Sequence, residues 1–320
     1  MAGHDHHDHD HHASGHGHAH GIGGYGHAPR SFGRAFAVGA ALNAGYVAAE
    51  VFYGLGAHSL ALLADAGHNL GDVLGLGAAW LASALVRRRP SARFTYGLGG
   101  STILAALANA VLLLVVTGGI AWEAIRRLIA PEPASGATIM AVAAAGIAVN
   151  GVTALFFAAG RRGDLNVRGA FLHMAADAGL ALGVVAAGGL ILLTGWLWLD
   201  PAVSLAVSLV IVAGTWGLLR DALSLSLNAV PPGIDERAVE DHLGRLPGVA
   251  EVHDLHIWAL STTETALTAH LVLRTGADGE ALLRGLPGDV RARFGIGHVT
   301  VQIETVETAH ACELRPDHVV

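Results

Sequence analysis

The amino-acid sequence predicts a membrane all-α bundle of six transmembrane helices followed by a small cytoplasmic α+β domain. Three observations carry that expectation. Of 320 residues, 52% are hydrophobic and only 14% charged, against roughly 25% charged in a soluble globular domain. Between residues 32 and 220, apolar stretches alternate with short breaks, and each is long enough to cross a hydrocarbon core, which takes about 20 residues. After Pro231-Pro232 the pattern changes to short amphipathic runs.

Residues 1–29 hold ten of the twenty histidines with Asp5, Asp8 and Asp10. Such a segment cannot bury enough apolar surface to offset its chain entropy and reads as a disordered tail. It lacks the apolar stretch and small-residue cleavage site of a secretory leader. The six spans fall at 32–55, 59–86, 98–125, 136–160, 167–194 and 201–220 within a membrane domain at 30–222, broken by glycine, proline and arginine. All 19 basic residues are arginine; with the N-terminus in the cytoplasm, ten lie in inside loops and flanks against Arg126 and Arg127 outside. That asymmetry favours cytoplasmic termini, and the expected location is the cell (inner) membrane. Residues 231–308 form the second domain: helices at 235–246 and 278–294, strands at 251–260, 264–274 and 298–305. A domain this small calls for dimerisation or a metal. Residues 309–320 read as a tail.

Several classes are excluded. The arginines sit in short loops rather than one basic patch, so no nucleic-acid partner is expected. A single cysteine, Cys312, cannot build a disulfide framework. No G-x-S-x-G, P-loop or H-E-x-x-H occurs, so neither an enzyme of those kinds nor an ATP-driven pump is expected.

The sharpest signal is a repeated His-x-x-x-Asp. The second span carries Ala64-Asp65-Ala66-Gly67-His68-Asn69-Leu70-Gly71-Asp72 and the fifth Leu172-His173-Met174-Ala175-Ala176-Asp177. A spacing of four puts both side chains of a pair on one helix face. Two such helices face to face offer two imidazoles and two carboxylates, a set that suits tetrahedral zinc. A charge near the bilayer centre costs about 2.5–3.5 kcal/mol on insertion scales; two aspartates facing one dication sum to zero charge. The alternative is helix-bridging hydrogen bonds. Gly67, Gly71 and Gly75 in span two, and Gly179 and Gly183 in span five, repeat every four residues and are expected to let the ligand-bearing helices approach. Asp65 reads as a relay outside the site or a hydrogen-bond partner of a ligand. Asn43 and Glu50 share a face and either line a pathway or bridge helices, and Asn150 is polar in the fourth span.

These residues resemble the cation diffusion facilitator family. The stretch from Ser59 to Asp72 is similar to its second-span motif, Asp164 to His173 to its fifth-span start, and Val252-His253-Asp254-Leu255-His256-Ile257-Trp258 to its soluble-domain motif; the likeness runs from 32 to 308. It implies a homodimer in which spans one, two, four and five form the transport bundle and metal is exchanged for protons. The quartet His68, Asp72, His173 and Asp177 resembles the zinc-preferring branch. In the soluble domain, ferredoxin-like and metallochaperone-like by the same resemblance, His253 and His270 fall at metal-binding positions, and His298 and Glu304 resemble last-strand ligands of some members. Gln302 and Arg237 depart from ligands found in relatives. The loop from Arg87 to Gly97 lacks the histidine or aspartate of another family site. His256 and Trp258 read as packing residues.

The expected function is proton-coupled export of a divalent transition-metal cation, Zn²⁺ foremost, with Cd²⁺, Co²⁺, Ni²⁺ and Fe²⁺ left open as alternatives and Mn²⁺, which suits oxygen donors, less suited to histidine. No cofactor is expected, Zn²⁺ entering as the transported and as a regulatory ion; the expected partners are the cation, protons, the lipid bilayer and a second copy of the chain. The alternative function is a metal-sensing membrane protein. The histidine-rich tail reads as a metal-collecting arm, an expression tag or a solvated linker.

Overall fold

A computed structural model describes residues 34–86, 88–158, 165–310, 312 and 314; the side chains of 34–40, 76, 79, 80, 82, 83, 156–158, 165–173 and 310 are outside that description. The expected tail 1–29 therefore lies outside the described residues.

Six long helices come first: α1 (Arg34–Gly56), α2 (Leu60–Val86), α3 (Ser101–Ile129), α4 (Gly136–Ala158), α5 (Leu165–Thr194) and α6 (Leu199–Ser226). Among the described residues, Ser101–Ile129, Gly136–Leu155, Met174–Thr194 and Leu199–Ser226 are long and apolar enough to cross a membrane. Their outward faces carry exposed Leu104, Val115, Trp122, Leu155, Leu193 and Leu209, side chains that lipid solvates and water does not. One buried cluster joins Tyr46 of α1, Ala61 and Leu62 of α2, Ile139, Val142 and Ala143 of α4, and Val184 and Ile191 of α5. A second joins Ala64 of α2 to Val207 and Ile211 of α6, flanked by Leu113 and Ile120 of α3. So α1, α2, α4 and α5 share a core, and α3 and α6 pack together beside it.

The glycine expectation needs correction. Cβ atoms at Gly67, Gly71 and Gly75 would meet Ile120, Leu113 and Asn109, all on α3, and those at Gly179 and Gly183 would meet nothing within 4 Å. The physical reason is rotation: Gly67 and Gly71 each precede a ligand candidate by one residue, about 100° around the helix. The face that holds glycines against α3 therefore cannot also be the face that turns His68 and Asp72 to α5. The tightest approach of helix backbones is between α4 and α5, where a Cβ at Gly136 would lie 2.6 Å from the Gly188 carbonyl oxygen.

The start of α2 is fixed by a group from far along the chain. Asp200, in the first turn of α6 and 1% exposed, accepts from Leu60 N at 2.7 Å, Ala61 N at 3.3 Å and the Ser59 hydroxyl at 2.5 Å. Ser59 Oγ accepts in turn from Leu62 N at 3.2 Å. The first amides of a helix have no intrahelical acceptor, and in a lipid-embedded bundle they have no water either.

Beyond α6 lie α7 (Glu236–Gly244), β1 (Val249–Ala259), β2 (Thr265–Leu273), α8 (Gly279–Phe294), β3 (His298–Glu304) and α9 (Val306–His310). The sheet runs β1-β2-β3, with β1 antiparallel and β3 parallel to β2. Val239, Leu243, Leu267, Leu271, Leu286 and Val290 join in the core between one sheet face and the helices. The short helix α9 falls where the sequence suggests only the end of a domain. The two halves meet where Thr262 N donates to Thr102 Oγ1 at 2.9 Å, next to a small cluster of Ile103, Leu225 and Ala259.

Replacing Asp200 by Ala removes an N-terminal cap, which costs about 0.5–2 kcal/mol, and leaves buried donors unmet at about 1–3 kcal/mol each. The unfolding midpoint of the detergent-solubilised protein is expected to drop by several degrees for Asp200→Ala and by less for Asp200→Asn. An unchanged midpoint in the alanine variant would contradict this role.

Candidate metal centres

The first centre lies where α2 meets α5. His68 Nε2 is 3.1 Å from Oδ1 of Asp177, a residue 2% exposed. Donor atoms of His68, Asp72 and Asp177 all lie within 4.8 Å of one another. The i,i+4 spacing stacks His68 over Asp72 on one face of α2, and α5 brings Asp177 to that face. His173 stands one turn before Asp177 on the α5 backbone; its imidazole lies outside the described residues.

Next to this centre is a second polar group. Glu50 of α1 is fully buried, and its Oε2 accepts from Asn69 Nδ2 at 3.0 Å, so the helix-bridging alternative describes Glu50. Its other side faces the buried Asp65 carboxyl, which in turn lies within electrostatic range of His68 and Asp177. The Tyr46 hydroxyl, near Glu50, donates to the Val142 carbonyl at 3.4 Å. Asn43 and Asn150 are also buried; the amide oxygen of Asn43 has no hydrogen-bond partner among the described residues.

The other centre lies on the sheet face opposite the helices. Strand alternation turns Leu267, Ala269 and Leu271 of β2 into the core and therefore His270 outward. His253 pairs with His270 and His270 with Gln302 in the ladder, and Glu304, two residues past Gln302, shares that face. His270 Nδ1 is 3.3 Å from His253 Nε2 and 3.0 Å from Glu304 Oε1, and His253 Nε2 is 3.4 Å from Glu304 Oε2. A fourth donor joins them that sequence reasoning missed: Cys312 Sγ lies 3.6 Å from His270 Nδ1, and the four residues form one cluster. No motif spacing announces it, because it arrives after the last strand and a turn of helix.

His298 is not brought to this cluster. It stands six residues before Glu304 on β3, about 20 Å along the strand, and its ring packs edge-on against Tyr96 at 5.5 Å. His256 is not a core packing residue either: its side chain is 41% exposed and its Nε2 lies 2.8 Å from Asp254 Oδ1. Asp254 has a left-handed backbone, φ 51°, at a register shift between His253 and His256. That bulge puts His253 and Asp254 on the same side of the sheet, so Asp254 Oδ2 reaches His270 Nε2 at 3.4 Å.

The family described as the cation efflux transmembrane domain matches residues 36–225, and the cation efflux protein cytoplasmic domain matches 231–306. The chain is 36% identical over 285 residues to the metal cation efflux system protein CzcD of Cupriavidus metallidurans, covering 88% of this chain and 90% of that one. It is 37% identical over 265 residues to the zinc transporter ZitB of Escherichia coli, covering 82% and 84%. With a cadmium, cobalt and zinc/H(+)-K(+) antiporter of Bacillus subtilis it shares 31% over 271 residues, covering 83% and 87%.

The Glu50–Asn69 bond can be tested apart from any ion. In Glu50→Gln the amide oxygen still accepts from Asn69, so thermal stability in detergent is expected to stay near that of the parent. Glu50→Leu leaves a buried amide unmet and is expected to cost about 1–3 kcal/mol. Equal stability of the two variants would show that the bond does not hold α1 to α2.

Proposed function

The chain belongs to the cation efflux family, the cation diffusion facilitators, and from that premise we propose that it exports a divalent transition-metal cation, Zn²⁺ foremost, in exchange for protons. It is a membrane transporter of metal cations rather than an enzyme. The observation that carries the finer reading is the convergence of His68, Asp72 and Asp177 donors within 4.8 Å from two different helices. His173, four residues before Asp177, supplies the second imidazole in this reading. The set has the nitrogen and oxygen donors of tetrahedral zinc, and its two carboxylates cancel the charge of a dication that has left its water behind. Relatives named for zinc, and for cadmium, cobalt and zinc, agree with that donor chemistry.

Proton coupling follows from the 3.1 Å contact of His68 Nε2 with Asp177 Oδ1. A cation that coordinates both atoms uses the same lone pairs that protons bind, and ligands coordinate deprotonated, so cation and protons compete for one set of donors. On the cytoplasmic side the cation takes the place of protons. On the far side, at lower pH, protons reclaim the donors and the cation leaves. Rocking of helices around a fixed site switches access.

In the same reading the chain is a homodimer in the inner membrane with cytoplasmic termini, and residues 1–29 collect cations near the mouth of the pathway. His253, His270 and Glu304 hold a resident cation in the second domain. The donors fit: two imidazole nitrogens and a buried carboxylate converge, and Glu304 Oε2 has no hydrogen-bond partner among the described residues.

Flux in proteoliposomes tests the transport reading. Asp177→Ala is expected to abolish zinc-driven proton movement in a protein that still folds; parental flux in that variant would end the proposal. His68→Asp is expected to weaken discrimination against Cd²⁺, and unchanged selectivity would show that these donors do not choose the ion. Deleting residues 2–28 is expected to change apparent zinc affinity modestly; complete loss of transport would overturn the accessory role of the tail.

A further inference from the structure

We infer that Cys312 is the fourth ligand of the cytoplasmic cation site, so that the bound ion ties this residue, two positions past α9, to the open face of the sheet. The inference rests on the reading of His253, His270 and Glu304 as a resident-cation site and adds to it a thiolate and a preference among ions.

Geometry comes first. Tetrahedral zinc with bonds of about 2.0–2.3 Å requires neighbouring donor atoms about 3.3–3.6 Å apart. The contacts are of that size: 3.3 Å between the two imidazole nitrogens, 3.0 Å from His270 Nδ1 to Glu304 Oε1, 3.4 Å from His253 Nε2 to Glu304 Oε2, and 3.6 Å from His270 Nδ1 to sulfur, with one donor atom of each residue within 4.8 Å of the others. The nitrogen–sulfur edge is the longest, as the longer zinc–sulfur bond demands. His253 is 7% exposed and Glu304 4%, and Glu304 Oε2 is without a hydrogen-bond partner among the described residues while facing the cluster. Four lone-pair-bearing atoms turned toward one point repel unless positive charge lies between them. One carboxylate and one thiolate supply the two negative charges that a dication cancels.

The surroundings orient the donors. Asp254 Oδ2 stands 3.4 Å from His270 Nε2, so Nε2 carries the hydrogen and Nδ1 keeps its lone pair for the ion. A carboxylate behind a ligating histidine has this effect at zinc sites generally. The strained φ of Asp254 and the bulge in β1 are what bring that carboxylate to the correct side of the sheet. Gln302 Nε2 donates to Glu304 Oε1 at 2.8 Å and steadies the carboxylate.

Local sequence returns the cysteine to the site. The chain leaves β3 at Glu304, and Thr305 and Thr308 bond reciprocally: Thr305 N donates to Thr308 Oγ1 at 2.8 Å and Thr308 N to Thr305 Oγ1 at 3.3 Å. This starts α9, which is anchored by buried Ala309. A turn in which Cys312 N donates to the Ala309 carbonyl at 3.3 Å then aims the thiol back. A soft sulfur donor favours Zn²⁺, Cd²⁺ and Co²⁺ over Mg²⁺ and Mn²⁺. The site therefore favours the class of cation that the membrane bundle is proposed to carry.

Cobalt substitution of the full-length protein in detergent tests this directly. Cys312 is the chain's single cysteine, so any thiolate-to-cobalt charge-transfer absorption in the near-ultraviolet reports that residue. At saturating Co²⁺ the band is expected in the parent protein, absent in Cys312→Ser, and lost in His270→Ala, with one fewer zinc per chain in His270→Ala. Asp254→Ala is expected to keep the band while weakening cobalt affinity about 10- to 100-fold. No band, with His270→Ala still losing one zinc, would overturn the thiolate ligand and leave the cytoplasmic site standing. No band and unchanged zinc in His270→Ala would overturn both. A band of full strength in His270→Ala would place the thiolate–metal bond elsewhere and overturn the proposal.

Discussion

A carboxylate buried among lipid-facing helices must have its charge cancelled close at hand, because little water or salt is there to screen it. Glu50, Asp65 and Asp177 are all buried in the helical bundle, and most of the arrangement around them answers that constraint. Asn69 donates to Glu50, His68 meets Asp177, and Asp65 lies against Glu50 within range of the His68–Asp177 pair. Such groups are tolerated in membranes where they pair with one another or face a pathway. A cation and a set of protons are two ways of balancing the same charges. A site built to hold either one is therefore suited to exchange them.

Holding those groups in register falls to parts with no chemistry of their own. Asp200 secures the start of α2, and so fixes the height at which His68 and Asp72 stand. Gly67, Gly71 and Gly75 let α2 lie close along α3 and leave the neighbouring face for α5. Thr102 and Thr262 join the helical bundle to the sheet, and Tyr96 packs on His298 at the same junction. The sheet is thereby held to the first turn of α3. In the functions proposed for them, both centres match charge in the same manner, with two anionic donors and imidazoles for one dication, the sheet offering sulfur where the bundle offers a second carboxylate.

The sequence alone determined the spans, the strands and the His-x-x-x-Asp pairs, because each is a local periodicity. Apolar length marks a membrane helix, alternation marks a strand, and a spacing of four marks a shared face. His253, His270 and Glu304 were legible through resemblance, and alternation agrees with their placement. What the tertiary structure decided are contacts between distant segments: that the glycine face meets α3 and not α5, that Asp200 caps a helix about 140 residues earlier, that His298 lies too far along β3 to join Glu304, and that Cys312 returns to His270. Helical rotation, strand rise and a five-residue helix set these outcomes. No periodicity within one segment encodes which neighbour it will face, since that depends on how all the segments pack together.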